Sequence, residues 1–183
     1  MKIKFLEIAG LAVVDTSPFI DNRGSFARFF CQGELESIIG CRNIVNINFS
    51  HTKSIGSIRG MHFQHPPKAE MKLVRCISGA VFDVAVDLRK NSPTFLRWHG
   101  ELLTAENMQM LVVPEGFAHG FQTLEENSEM LYLHTEFYSM EQDAGICYHD
   151  PLIGIKWPLP AVEVSAKDQA YALLDGAFGG IKL

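Results

Sequence analysis

The chain has 183 residues, 47% apolar and 20% charged, with 21 acidic against 16 basic side chains and a formal charge of −5. That length fits one well-buried domain spanning residues 1–183 and leaves too little chain for two. No basic run exceeds a pair such as Arg89-Lys90, which argues against a nucleic-acid binder, and no apolar stretch approaches the length of a membrane helix.

In chain order, MKIKFLEIAGLAVVD reads as a strand start and not a signal peptide, because Glu7 and Asp15 interrupt its apolar core. Asp21-Asn22-Arg23-Gly24 is turn punctuation, and 33–40 is a short helix candidate. Strand signals follow at 43–50, 72–89, 95–104, 108–115 and 128–138, rich in β-branched, aromatic and aliphatic residues. Ser78-Gly79 splits the second run into a hairpin; Asn91-Ser92-Pro93, Pro114-Glu115-Gly116 and Asp150-Pro151 mark further turns. Ser165, with Asp168 at the third helical position, caps a helical C-terminal tail. Many short strands at this spacing predict an all-β fold, a two-sheet sandwich or barrel with short helices near the N-terminal third and the C-terminus. Cys31, Cys41, Cys76 and Cys147 are scattered with no CxxC pair, the pattern of reduced thiols in a cytoplasmic protein.

The stretch RGMHFQHPPKAEMK, residues 59–72, concentrates the titratable groups. One reading is a strand end followed by a rigid Pro66-Pro67 turn. A second is a metal site on His62, His65, Glu70 and His119, against which the spacing speaks: positions three apart on a strand point to opposite faces. A third is acid–base chemistry without metal. His62 supplies a near-neutral proton acceptor, Lys72 a cation at the head of an apolar strand, and Tyr132 a phenol midway along another.

These residues stand within motifs that resemble the dTDP-4-dehydrorhamnose 3,5-epimerase family. The similarity covers SPFIDNRGSFARFF to SAKD, through RGMHFQHPP, KLVRCISGAVFDVAVDLRKNSPTF, PEGFAHGFQTL and AGICYHDPLIGIKWP. It implies a jelly-roll β-sandwich of the cupin type enclosing a nucleotide-sugar pocket. It further implies no metal or other cofactor, and a homodimer whose N-terminal strand region crosses to the partner. It assigns His62 as base with Asp168 as its carboxylate, Lys72 beside the substrate carbonyl, and Tyr132 as acid. It places Tyr138, Arg59, His119, Asn48 and Gln64 around the substrate, with Arg23 and Phe26 at the nucleotide. The implied reaction converts dTDP-4-dehydro-6-deoxy-D-glucose to dTDP-4-dehydro-L-rhamnose by inverting C3 and C5 through an enolate.

Arg28 departs from the family pattern, standing where an acidic residue of the nucleobase end is usual. It keeps open a second reading, an epimerase of one centre acting on another nucleotide sugar such as a CDP-linked 4-keto-3,6-dideoxyhexose. A metal-dependent oxygenase on a cupin scaffold and a non-catalytic sugar-binding module are the alternatives of other classes. The module would have no need of a base, an acid and an enolate stabiliser together.

Overall fold

A computed structural model describes residues 1–183. Its strands are β1 (Lys2–Phe5), β2 (Ala12–Asp15), β3 (Phe19–Asp21), β4 (Gly24–Phe26), β5 (Asn46–Thr52), β6 (Ile58–Gln64) and β7 (Lys72–Ser78). They continue as β8 (Ala80–Asp87), β9 (Trp98–Thr104), β10 (Gln109–Val113), β11 (Phe117–Thr123), β12 (Ser128–His134) and β13 (Asp143–Gly145). Two helices, α1 (Gln32–Ile39) and α2 (Ala166–Gln169), complete the set. A six-stranded sheet runs β1-β2-β10-β7-β12-β5, a five-stranded sheet β13-β6-β11-β8-β9, and β3-β4 is a separate hairpin. The two sheets form the sandwich that the strand spacing predicts, of the jelly-roll type that the resemblance implies. No helix is long and apolar enough to cross a membrane.

The central strands read as continuous apolar runs because both faces of each sheet are covered. Along β7, Val74 and Cys76 point between the sheets, where they meet Val81, Ala85, Leu111, Phe117, Phe121 and Met130 in a core of 13 buried residues. Leu73, one position off, points the other way and packs with Val112 and Leu133 under α1. The α1 residues Leu35 and Ile39, one helical turn apart, close that layer. On the far side of the five-stranded sheet, Met61, Phe63, Val84, Val86 and Ala118 are covered by Ile146, Ile153, Trp157, Leu174, Phe178 and Ile181.

That last layer corrects one expectation. The tail from Ser165 makes a single helical turn, α2, and then runs irregularly to its end. Docking of Leu174, Phe178 and Ile181 onto the sheet holds it down, with Leu174 N–H donating to Asp150 Oδ2 at 2.5 Å, and glycines at 176, 179 and 180 disfavour a longer helix. The turn expected at Ser78-Gly79 forms, with Gly79 at φ 71°, but not as a hairpin: β7 pairs with β10 and β12 in one sheet and β8 with β11 and β9 in the other, so the turn carries the chain between the sheets. Strand 128–138 ends early, at His134, where Thr135 exchanges backbone and hydroxyl hydrogen bonds with Met71.

Candidate active site

Inward-facing positions fill the middle of the sandwich with apolar side chains and one end with polar ones. In β12 the alternation Met130, Tyr132, His134 passes from core to cavity. Asn48, Ser50 and Thr52 line the cavity along β5, His62 and Arg59 come from β6, His119 from β11, and Lys72 opens β7. Together with residues 162–165 and the α2 turn they line a cavity of about 780 Å³, within the range of small-molecule sites.

His62 and His119 face each other across the β6–β11 ladder, which shifts register between His119 and Phe121. Gly60 permits the close approach: its φ is 132°, and a Cβ there would lie 2.6 Å from the Gly120 Cα. On the cavity side, His62 Nε2 is 2.6 Å from Asp168 Oδ1, and Asp168 Oδ2 accepts the Gly60 N–H at 3.1 Å. The Ser165 hydroxyl oxygen caps α2 by accepting the Asp168 N–H at 3.1 Å, as the motif predicts. The Asp168 carboxylate, instead of turning back to close a capping box, reaches the imidazole. Burial pushes the Asp168 carboxyl upward, but the His62 and Gly60 hydrogen bonds outweigh it and hold it below the usual range. An ionised Asp168 accepts the Nε2 proton, which leaves the Nδ1 lone pair as the basic site of His62.

The six-stranded sheet supplies Tyr132 and Lys72, and the five-stranded sheet adds His119, Asp83 and Arg59. Tyr132 Oη is 2.7 Å from Ser50 Oγ, and burial holds its phenol far above the ordinary value, so it is a protonated donor at neutral pH. Its ring stands edge-on to His119, centroids 6.4 Å apart. Lys72 Nζ donates to the His62 carbonyl at 3.3 Å across the sandwich. His119 Nε2 is 2.9 Å from the Oδ1 of Asp83, a fully buried carboxyl that desolvation pushes upward. Arg59 is anchored at the cavity wall by Thr52 Oγ1 at 2.9 Å and the His51 carbonyl at 3.2 Å.

Of the residues anticipated, His62, Lys72, Tyr132, Asp168, Arg59, His119 and Asn48 line this one cavity. Five do not. Gln64 shares the His62 face but is buried and consumed by backbone: its amide donates to the carbonyls of Lys68 and Phe137 and accepts from Ser139 N–H. Tyr138 is exposed and donates to Asp143 Oδ2 at 3.3 Å. Arg23 chelates Asp21 on the exposed β3–β4 hairpin, whose Phe26 is open to solvent. Arg28 pairs with Glu34 of α1, outside the cavity. The four residues of the metal alternative are dispersed: His62 is on Asp168, His119 on Asp83, Glu70 on Lys72 and His134, and His65 against the Phe63 ring. Ser50, His134 and Glu163 line the cavity and Asp83 backs His119, none of them anticipated; alternation from Asn48 and Tyr132 points to the first two, and an aspartate inside the apolar VFDVAV run to the last.

Fold and cavity together define a class, a jelly-roll protein whose inter-sheet pocket carries imidazole–carboxylate pairs on one wall and a phenol and an ammonium on the other. The family model for dTDP-4-dehydrorhamnose 3,5-epimerase matches residues 5–176, and the chain belongs to that family. The dTDP-4-dehydrorhamnose 3,5-epimerase of Salmonella typhimurium is 46% identical over 172 residues, 93% of each chain. A Bacillus anthracis dTDP-4-dehydrorhamnose 3,5-epimerase structure with TDP and pyrophosphate bound superposes at TM-score 0.91, with 39% identity, covering 94% of this chain and 99% of that one. A Legionella pneumophila 3,5-epimerase in complex with dTDP-4-keto-L-rhamnose also gives 0.91, with 36% identity, covering 98% and 97%.

Proposed function

We propose that this protein, acting as one domain over residues 1–183, converts dTDP-4-dehydro-6-deoxy-D-glucose to dTDP-4-dehydro-L-rhamnose by epimerising C3 and C5. The observation that carries the reading is the disposition of the polar groups: the His62–Asp168 pair on the five-stranded sheet and Tyr132 on the six-stranded sheet, with one cavity between them. Hydrogens on C3 and C5 are both adjacent to the C4 carbonyl, so removal of either gives an enolate. His62 Nδ1 takes the proton, and the electron pair moves onto the C4 oxygen, where the Lys72 ammonium meets the developing charge. Tyr132 then returns a proton to the carbon from the other face, which inverts it. The carbonyl is present in the substrate, so the scheme contains no redox step.

Arg59 and His119 serve the sugar and its phosphates in this reading. The working unit is a homodimer. Phe19, Ile20 and Phe26 on the hairpin and Ile47 and Phe49 on the edge strand β5 leave apolar surface open, which supports strand exchange that brings Arg23 and Phe26 of one protomer to its partner's cavity. Four unpaired cysteines support a reducing, cytoplasmic setting.

The test is product analysis. After incubation with dTDP-4-dehydro-6-deoxy-D-glucose, borohydride reduction and acid release yield L-rhamnose and its C4 epimer if both centres invert. Only 6-deoxy-D-glucose and D-fucose, the reduction products of unreacted substrate, would contradict the proposal.

A further inference from the structure

Behind the cavity wall, Glu70 bridges two groups that the cavity touches. Its Oε1 lies 3.2 Å from Lys72 Nζ, and its Oε2 accepts from His134 Nδ1 at 2.8 Å. Lys72 and His134 line the cavity and oppose each other in the β7–β12 register; Glu70 enters from the segment before β7 and is not part of the cavity lining. All three side chains are close to buried, with Glu70 9% exposed. Burial works to raise the Glu70 carboxyl, but the His134 hydrogen bond and the Lys72 charge overcome it and keep it below the usual range, an ionised acceptor. With the Nδ1 proton given to Glu70, His134 Nε2 accepts from the Asn48 amide at 3.3 Å. A connected chain, Asn48–His134–Glu70–Lys72, therefore spans β5, β12 and β7.

The consequence lies in the donor count of an ammonium, which is three. Two Lys72 N–H groups are taken by the His62 carbonyl at 3.3 Å and by Glu70, and the third is left for the cavity. A lysine on its four-carbon stem is otherwise mobile, and two fixed acceptors give its charge a direction. The shorter Glu70 bond goes to His134, so the carboxylate is shared and the ammonium is not fully quenched.

We propose that Glu70, held by His134, is a positioning residue that aims the remaining Lys72 N–H at the C4 oxygen of the bound 4-keto sugar. This rests on the epimerase reading above. Neither Glu70 nor His134 touches the reacting atoms.

The experiment measures deuterium incorporation into dTDP-4-dehydro-6-deoxy-D-glucose in deuterium oxide for wild type, Glu70→Gln, His134→Gln and the double variant. Thermal melting and dTDP binding are recorded for each. Glu70→Gln should lose roughly tenfold to a hundredfold in kcat with KM and dTDP affinity little changed, the signature of an interaction used in the transition state. His134→Gln should lose less in the same direction, and the double variant should be no worse than Glu70→Gln, because the two act through one another. Should Glu70→Gln fail to fold, His134→Gln, which leaves the carboxylate in place, carries the test alone. Wild-type kcat in both variants overturns the inference, as does a His134→Gln defect that adds in full to that of Glu70→Gln. A wild type that incorporates no deuterium overturns the epimerase reading itself; an active wild type with unaffected variants overturns this inference alone.

Discussion

Asp168 decides which nitrogen of His62 can act. Its carboxylate holds the Nε2 proton at 2.6 Å and is itself fixed by the Gly60 amide, so the basic lone pair is on Nδ1. His62→Ala should reduce proton removal by roughly 10²- to 10⁴-fold while the melting temperature stays within a few degrees of wild type, measured by solvent exchange and calorimetry. Tyr132→Phe should separate two readouts: inversion falls further than deuterium wash-in, because the first proton leaves without help from the phenol. Equal loss of both would remove the two-face scheme. At this scale the sequence is most readable where motif and strand facing agree, as for Lys72 and Tyr132, while Asp168, on the α2 turn, is found through its motif alone. The sequence is silent about local partners that engage a side chain. Gln64 is spent on three backbone groups and Arg28 on Glu34, partners that no one-dimensional pattern reveals.

Elements bring these residues together through tight backbone contact more than through propensity. The β6–β11 pair places His62 opposite His119 because Gly60 and Gly120 let the strands approach, and a Cβ at Gly120 would lie 2.6 Å from the Arg59 carbonyl oxygen. Gly60→Ala, at a φ of 132°, should therefore cost more than about 1 kcal/mol of stability by chemical denaturation and lower kcat with it. A variant of unchanged stability and rate would show that the close approach is unimportant. The run 72–89 declares its strands and its Ser78-Gly79 turn because both faces are buried, and a run of that kind is hard to mistake. The tail after Ser165 looked helical by its cap, yet only α2 forms, since packing of Leu174, Phe178 and Ile181 outweighs the weak drive of a short helix.

For the whole molecule, the layered core explains why composition alone places the chain among ordinary globular proteins, while the cavity is legible only through motif order. Two predictions belong here. If the hairpin and β5 form the proposed dimer, Phe49→Glu should shift light-scattering mass from two chains to one; a monomeric wild type would remove the strand-exchange proposal. The second concerns acid. Asp87, although burial pushes it upward, is held below the usual range by Arg89, Ser92 and Thr94. Asp168 and Glu70 are likewise held low, while Asp83 is raised. A depressed carboxyl contributes stability that is fully present above its unfolded value of about 4 and lost as pH falls through its lower folded value; Asp83 works in the opposite sense. Asp87→Asn should accordingly melt lower than wild type at pH 7 and lose less on acidification toward pH 3. Parallel melting curves in that window would contradict this account.

The central claim is that one cavity removes and returns protons on either side of a ketone. Proton NMR of dTDP-4-dehydro-6-deoxy-D-glucose in deuterium oxide tests it most directly. The account predicts deuterium at both C3 and C5 with the wild-type protein and at neither with His62→Ala. Exchange at full rate in His62→Ala, or no exchange in wild type, would contradict it.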